Sequence, residues 1–236
     1  MPRIVLFAAA YEEFVKNSAG KAPMPRLSEE EWRHINKFRL PEQRDARYAG
    51  HCLLHAALGL LGYGDAVTWG AYGQPAIPDS DVSASLSYCP GIVVAAAGES
   101  CRIGVDVEPE SGLNLNDIRR ALSLSEIDRV RRQRLPASLV SCWTAKEAVL
   151  KADGRGFAAA GALRDDLFSP APVLDGQRWQ LARYRLYFPA ISQNCLLALA
   201  HDALMPTADS PRQNLPRVTP KFTRLLKNTI KLTYYL

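Results

Sequence analysis

Two short runs carry the side chains best suited to chemistry. Ile103-Gly104-Val105-Asp106-Val107-Glu108 has the composition of a strand, whose period of two puts Val105 and Val107 on one face and Asp106 with Glu108 on the other. Neighbouring carboxylates repel each other. A divalent cation shared with phosphate oxygens relieves that repulsion, and magnesium is usually held in this way. A solvated sheet face also accommodates such a pair. The second run, Trp143-Thr144-Ala145-Lys146-Glu147-Ala148-Val149-Leu150-Lys151, reads as helix, so Trp143, Glu147 and Lys151 share one face at i, i+4 and i+8. Its carboxylate can complete a metal site or accept a proton, and the lysine one turn later can neutralise a phosphate. A surface Glu-to-Lys pair is the plain alternative.

Other candidates carry less. His51 and His55 fall at i, i+4 in a helical stretch, but no third ligand or H-E-x-x-H context accompanies them, so they read as ordinary helix residues. The sequence contains no G-x-S-x-G elbow, no Walker loop and no G-x-G-x-x-G fingerprint. Gly154-Arg155-Gly156 is a turn signal. Ser87 can offer a hydroxyl to a phosphate or simply end a strand.

The elements that position these residues repeat. Leu27 to Leu61 is helical, with Ser28 as N-cap and Glu29, Glu30 and Glu31 in an acidic first turn. Strand-like runs follow at Val67 to Tyr72, Val82 to Tyr88, Gly91 to Ala97 and Arg102 to Glu108. The second half repeats the order, with helices at Ile118 to Val130 and Ser138 to Ala152, then strands at Leu167 to Val173, Trp179 to Phe188 and Asn194 to His201. The expected fold is therefore α+β, a pseudo-two-fold pair of similar helix-plus-three-strand halves meeting face to face. A cleft between them suits a ligand site. The expected divisions are residues 1–100, 101–204 and a tail, 205–236. That tail opens with Pro206, Pro211, Pro216 and Pro220, a linker composition, and ends in a basic stretch where Phe222, Leu225, Leu226 and Ile230 fit a short amphipathic helix.

Composition narrows the class. The chain has 236 residues, 47% hydrophobic and 22% charged, with a formal charge of +5. That charge sits in the tail. Residues 217 to 236 carry Arg217, Lys221, Arg224, Lys227 and Lys231 with no acid, so the remaining bases equal the 24 acids in number. A neutral body without zinc-finger, RRM or zipper signatures argues against nucleic acid as partner. No apolar run reaches the roughly 18 residues of a membrane span, and Ile4 to Ala10 is too short and too weakly basic upstream for a signal peptide. A soluble cytoplasmic chain is expected. Cys52, Cys89, Cys101, Cys142 and Cys195 are scattered without a C-x-x-C pair, which predicts reduced, mostly buried thiols.

Taken in order, Gly104 to Glu108 and Trp143 to Lys151 resemble the signatures of the 4'-phosphopantetheinyl transferase superfamily. Weaker likenesses are Arg47 before Gly50, Gly73-Gln74-Pro75, and Ser85 to Tyr88. The length and doubled layout resemble the larger, surfactin-type class. The resemblance implies an enzyme that moves the phosphopantetheine arm of coenzyme A to a serine of an acyl, polyketide or peptidyl carrier protein and releases adenosine 3',5'-bisphosphate. It implies that Asp106, Glu108 and Glu147 hold Mg²⁺, that Glu147 or a metal-bound water takes the serine proton, and that Lys146 and Lys151 neutralise phosphate charge. Lys37, Arg47, Gly73, Gln74, Pro75, Ser87 and Tyr88 match positions that bind the nucleotide end. A monomer is implied.

Two departures stand out. Gln74 and Tyr88 occupy positions where the family commonly has lysine and histidine, and neither brings positive charge. The alternative they raise is a catalytically weak carrier-protein-binding homologue with a drifted coenzyme A pocket. The arginines at 119, 120, 129, 131, 132 and 134 resemble the carrier-docking surface, although Asp117, Glu126 and Asp128 interleave with them as on a solvated helix face.

Overall fold

The computed structural model describes residues 2–18, 25–64, 67–119, 122, 124, 127–128, 139–156, 178–181, 184–189, 194–202 and 229–235. The chain forms two compact units, one of Met1–Arg102 with Ala203–Leu236, the other of Ile103–Asp202. It is a mixed α+β fold with one antiparallel sheet in each unit.

In the first unit the strands are β1 (Arg3–Ala10), β2 (Thr68–Trp69), β3 (Pro75–Ala76), β4 (Val82–Cys89), β5 (Ile92–Glu99) and a C-terminal strand (Thr229–Tyr235), here β10. They lie in the order β10-β1-β5-β4-β3-β2. Helix α1 (Tyr11–Ser18) follows β1, and α2 (Glu29–Asn36) and α3 (Pro41–Leu61) divide the helical stretch read from sequence. The division has a local cause. Pro41 has no N–H to continue α2 and its fixed φ starts α3, which ends at Gly62 in the left-handed region at φ +88°. Ser28 caps α2 as expected, accepting from the Glu31 amide while Glu31 Oε2 accepts from the Ser28 amide. The Ala- and Leu-rich face of α3 packs over β1 and β5, with Phe7, Leu53, Leu54, Leu58 and Val93 fully buried.

The tail departs from the sequence reading. Thr229–Tyr235 is a strand, paired with β1 from Arg3↔Tyr235 to Ala9↔Thr229. Its β-branched and aromatic residues suit a strand, and the apolar β1 gains a partner along an edge that would otherwise stay open. The proline-rich stretch and the rest of the expected amphipathic helix lie outside the described residues.

The second unit has β6 (Ile103–Pro109), β7 (Arg178–Leu181), β8 (Tyr184–Tyr187) and β9 (Cys195–His201) in the order β6-β9-β8-β7. The single strand expected over Trp179 to Phe188 is a hairpin, with Trp179↔Leu186 in register. Helix α4 (Leu115–Ile118) is capped by Asn114, and α5 (Leu139–Asp153) packs on β6 and β9. The strand expected at Leu167 to Val173 and most of the helix expected beyond Ile118 lie outside the described residues. Small side chains let α5 lie close: Ala145, Ala148 and Ala152 meet Ala198 and Ala200. No described helix is long and apolar enough to cross a membrane. Cys52, Cys89, Cys101 and Cys142 are buried.

Candidate active site

Strand β6 alternates as its sequence requires. Ile103, Val105 and Val107 are buried, while Gly104, Asp106 and Glu108 share the face over which α5 lies. Gly104 makes this approach possible. A Cβ there would run into the carbonyl oxygen of Ala148 and the amide nitrogen of Ala152, both helix backbone that cannot swing aside. Cross-strand partners of Gly104 and Asp106 are Ala200 and Ala198, which keep the surface under the helix low.

Helix α5 presents Trp143, Glu147 and Lys151 on the stripe facing these acids. Lys151 Nζ donates to Asp106 Oδ1 at 2.6 Å, with the Asp106 side chain 5% exposed. The indole Nε1 of Trp143 donates to Glu108 Oε1 at 2.9 Å. Glu147 stands between these contacts along the helix. Burial, and then the Asp106 carboxylate, push its carboxyl up to about 7; Glu108 adds to the rise and Lys151 opposes it. Glu108 is also held above the usual range by burial and Asp106, against the Trp143 hydrogen bond and Lys151. Three carboxyls and one ammonium therefore feel one another across β6 and α5.

A buried, mutually repelling set of hard oxygen donors has the chemistry that a divalent cation relieves. Among the described residues, however, no three His, Cys, Asp or Glu side chains stand in a metal-holding arrangement. Lys151 serves as a counter-ion of Asp106. Lys146 is not on the stripe. It is buried, about 100° round the helix from Glu147. The C-terminal end of α5 is fixed by Asp153, which accepts from Arg155 and Tyr184, and by Gly154 at φ +77°.

In the first unit the expected nucleotide residues separate. Arg47 on α3 lies between two rings, its guanidinium carbon 3.7 Å from the Tyr88 centroid and 4.4 Å from that of Phe38. Gly50, one turn along, leaves the space that the Tyr88 ring fills. Burial pushes the Tyr88 phenol up to about 12, against the lowering effect of Arg47. Lys37 caps the end of α2 and is exposed. Ser87 does not join them: Val82, Ala84, Leu86 and Tyr88 face the α3 core, so the buried Ser87 points to the other side of β4. Gln74 is engaged in its own turn, where its Oε1 accepts from the Tyr72 amide at 3.2 Å and its side chain covers Gly70. Gly73 takes φ +81° in that turn, and Pro75 is buried in β3.

Sequence reasoning passed over one cluster here. His51 Nδ1 and His55 Nε2 both meet Glu31 Oε1, at 2.9 and 2.8 Å, with all three residues buried. The i, i+4 spacing of the histidines was visible, but the carboxylate that joins them comes from another helix.

No curated protein shows a significant match to the chain. A family model described as the 4'-phosphopantetheinyl transferase superfamily does match residues 102–192, the stretch that holds Asp106, Glu108, Trp143, Glu147 and Lys151.

Proposed function

We propose that this protein transfers the 4'-phosphopantetheine arm of coenzyme A to a serine of an apo carrier protein, in the manner of the larger, surfactin-type transferases. The observation that carries this reading is the facing of Asp106 and Glu108 on β6 by Glu147 and Lys151 on α5, within the stretch that the family model matches. Asp106, Glu108 and Glu147 do not stand in a metal-holding arrangement here and would hold Mg²⁺ only on drawing together; the ion would then supply charge neutralisation at the pyrophosphate. The carboxyl of Glu147, pushed up to about 7 by burial and then by Asp106, suits acceptance of the serine hydroxyl proton. The serine oxygen bonds to the phosphorus on the pantetheine side as the pyrophosphate P–O bond breaks, and adenosine 3',5'-bisphosphate leaves. Lys151 offsets phosphate charge and Trp143 orients Glu108, while the buried Lys146, off this stripe, is left without that role. Positioning and electrostatics then supply most of the rate.

Intact mass measurement after incubation with coenzyme A, Mg²⁺ and a panel of apo carrier proteins tests this. Gain of one phosphopantetheine arm on any carrier supports the reading, and no gain across fatty-acid, polyketide and peptide carriers overturns it. The turn-bound Gln74 favours a second reading, a carrier-binding homologue with weak activity; it predicts carrier binding without mass gain.

A further inference from the structure

The second unit buries one titratable side chain that the candidate site does not use. His201 ends β9 with no exposed surface, and neither of its ring nitrogens makes a hydrogen bond. A neutral imidazole has one N–H to donate and one lone pair to accept with, and both are unmet here. Burying such a group costs stability, and burying it charged would cost more. The ring lies against Tyr187 of β8, with centroids 5.4 Å apart and the two planes inclined by 13°.

Alternation fixes the face it occupies. Ala198 and Ala200 of β9, with Tyr184 and Leu186 of β8, belong to the core under α5, so His201, Arg185 and Tyr187 point to the opposite side of the sheet. Arg185 is the direct cross-strand partner of His201 on β8, and Ile103 is its partner on β6. The charged groups that act on the ring are Arg185 and, next along the chain, Asp202. Burial first, and then Arg185, pull its titration from 6.5 down to about 4, against the opposing effect of Asp202. The joint on this side is short. Among the described residues β8 meets β9 from Arg185↔His201 to Tyr187↔Leu199, whereas β6 meets it from Ile103↔His201 to Pro109↔Cys195.

We propose that His201 is an acid-operated latch on the β8–β9 joint. When its ring takes a proton from solvent, two cations stand opposite each other at the end of the ladder, and the β7–β8 hairpin leaves β9 while β6 and β9 stay paired. The hairpin supports more than itself. Leu186 is fully buried in the core under α5, and the Tyr184 hydroxyl donates to Asp153 at the end of that helix, two residues beyond Lys151. Release of β8 withdraws both supports. Acid therefore loosens the last turn of α5 by a route that starts outside the candidate site. The latch is a property of the fold and stands apart from the proposed function.

Amide hydrogen exchange of the full chain, compared at about pH 7 and about pH 5 and corrected for the intrinsic pH dependence of exchange, tests this. Protection of residues 184–187 should fall about tenfold over that interval, because a released histidine binds a proton there and the stacked one does not. Residues 103–107 of β6 and 53–58 of α3 should keep theirs. His201→Phe leaves a ring against Tyr187 that takes no proton, so protection of 184–187 should no longer depend on pH. Arg185→Gln removes the opposed charge and should show a smaller fall than the wild type, which keeps the test open where the larger Phe ring does not fit. A fall in His201→Phe equal to that of the wild type overturns the latch, and an unchanged fall in Arg185→Gln overturns the repulsion that drives it. Equal loss at β6 and β8 means that the unit unfolds as a whole and overturns the local release. Histidine-ring spectra of the wild type give a reading that needs no variant: His201 should stay neutral down to about pH 5, and a ring that titrates near 6.5 while β8 remains protected overturns the proposal.

Discussion

Lys151 reaches back across a sequence separation of 45 residues to donate a 2.6 Å hydrogen bond to the nearly buried carboxylate of Asp106. That bond joins α5 to β6 and sets the charge balance of the candidate site. Removing either partner has a different consequence. Lys151→Met removes an ammonium from beside Asp106, Glu108 and Glu147, and a loss of about 1–3 kcal/mol in denaturant unfolding is expected. Asp106→Ala relieves repulsion, so the fold should persist at equal or higher stability while transfer falls to background in the mass assay. Glu147→Ala should behave the same way; activity within a few-fold of wild type in either would remove them from the machinery.

Gly104→Ala tests the close approach of strand and helix. The new methyl meets α5 backbone at Ala148 and Ala152 rather than a side chain that can turn away, so the helix itself must move. A destabilisation of about 1–3 kcal/mol is expected, with loss of transfer larger than loss of fold, because Glu147 and Lys151 move with the helix. A wild-type Tm and rate would show that α5 has slack.

The pH dependence of stability has two opposing parts. The Glu147 carboxyl is raised from 4.5 to about 7, so the folded state binds more protons than the unfolded one in that interval. Its contribution is full below 4.5 and is lost as pH rises toward 7. His34 and His201 are lowered from 6.5 to about 4, chiefly by burial, so their contributions are full above 6.5 and are lost as pH falls toward 4. Without added metal, Glu147→Gln should raise Tm relative to wild type near neutrality and much less near pH 4.5. A constant difference across the range would contradict the assignment.

Gln74→Lys should tighten coenzyme A binding about tenfold, since one charge-assisted hydrogen bond is worth about 1.5–3 kcal/mol before reorganisation. Lysine cannot accept from the Tyr72 amide as Gln74 Oε1 does, which frees the side chain from its turn. Tyr88→His should tighten binding less, because it leaves the space over Gly50 unfilled and removes a ring from Arg47. Unchanged binding in a calorimetric titration of Gln74→Lys would mean that this turn does not face the nucleotide.

The basic tail and the arginine cluster can be separated as carrier-docking surfaces. Arg129→Glu with Arg132→Glu should raise KM for carrier and leave coenzyme A affinity alone. Deleting residues 217–236 does not isolate the charge, because it also removes β10 and bares the edge of β1. Loss of Tm and concentration-dependent association are expected of the truncation. Neutralising Lys221, Arg224 and Lys227 to Gln keeps the strand and tests the charge by itself; a raised KM for carrier there, with the double reversal silent, would place docking on the tail.

Local pattern determined much of this. The alternation of Ile103 to Glu108 and the helical phase of Trp143, Glu147 and Lys151 are fixed by backbone geometry, so which residues share a face was legible before any tertiary contact. The α2 cap, the α5 turn and the mixed α+β character followed from residues next to one another, whereas the antiparallel pairing did not. Tertiary structure decided the rest, because it depends on partners distant in sequence. Thr229–Tyr235 takes strand form through its pairing with β1, which overrides an amphipathic pattern that stands equally well for helix. Tyr88 and Ser87 are neighbours in sequence but point to opposite sides of β4, so only one of them can meet Arg47. His51 and His55 find their shared hydrogen-bond partner, Glu31, on another helix. A side chain's neighbours on its own element follow from spacing, whereas its protonation state and counter-ion are set by whatever the fold brings against it.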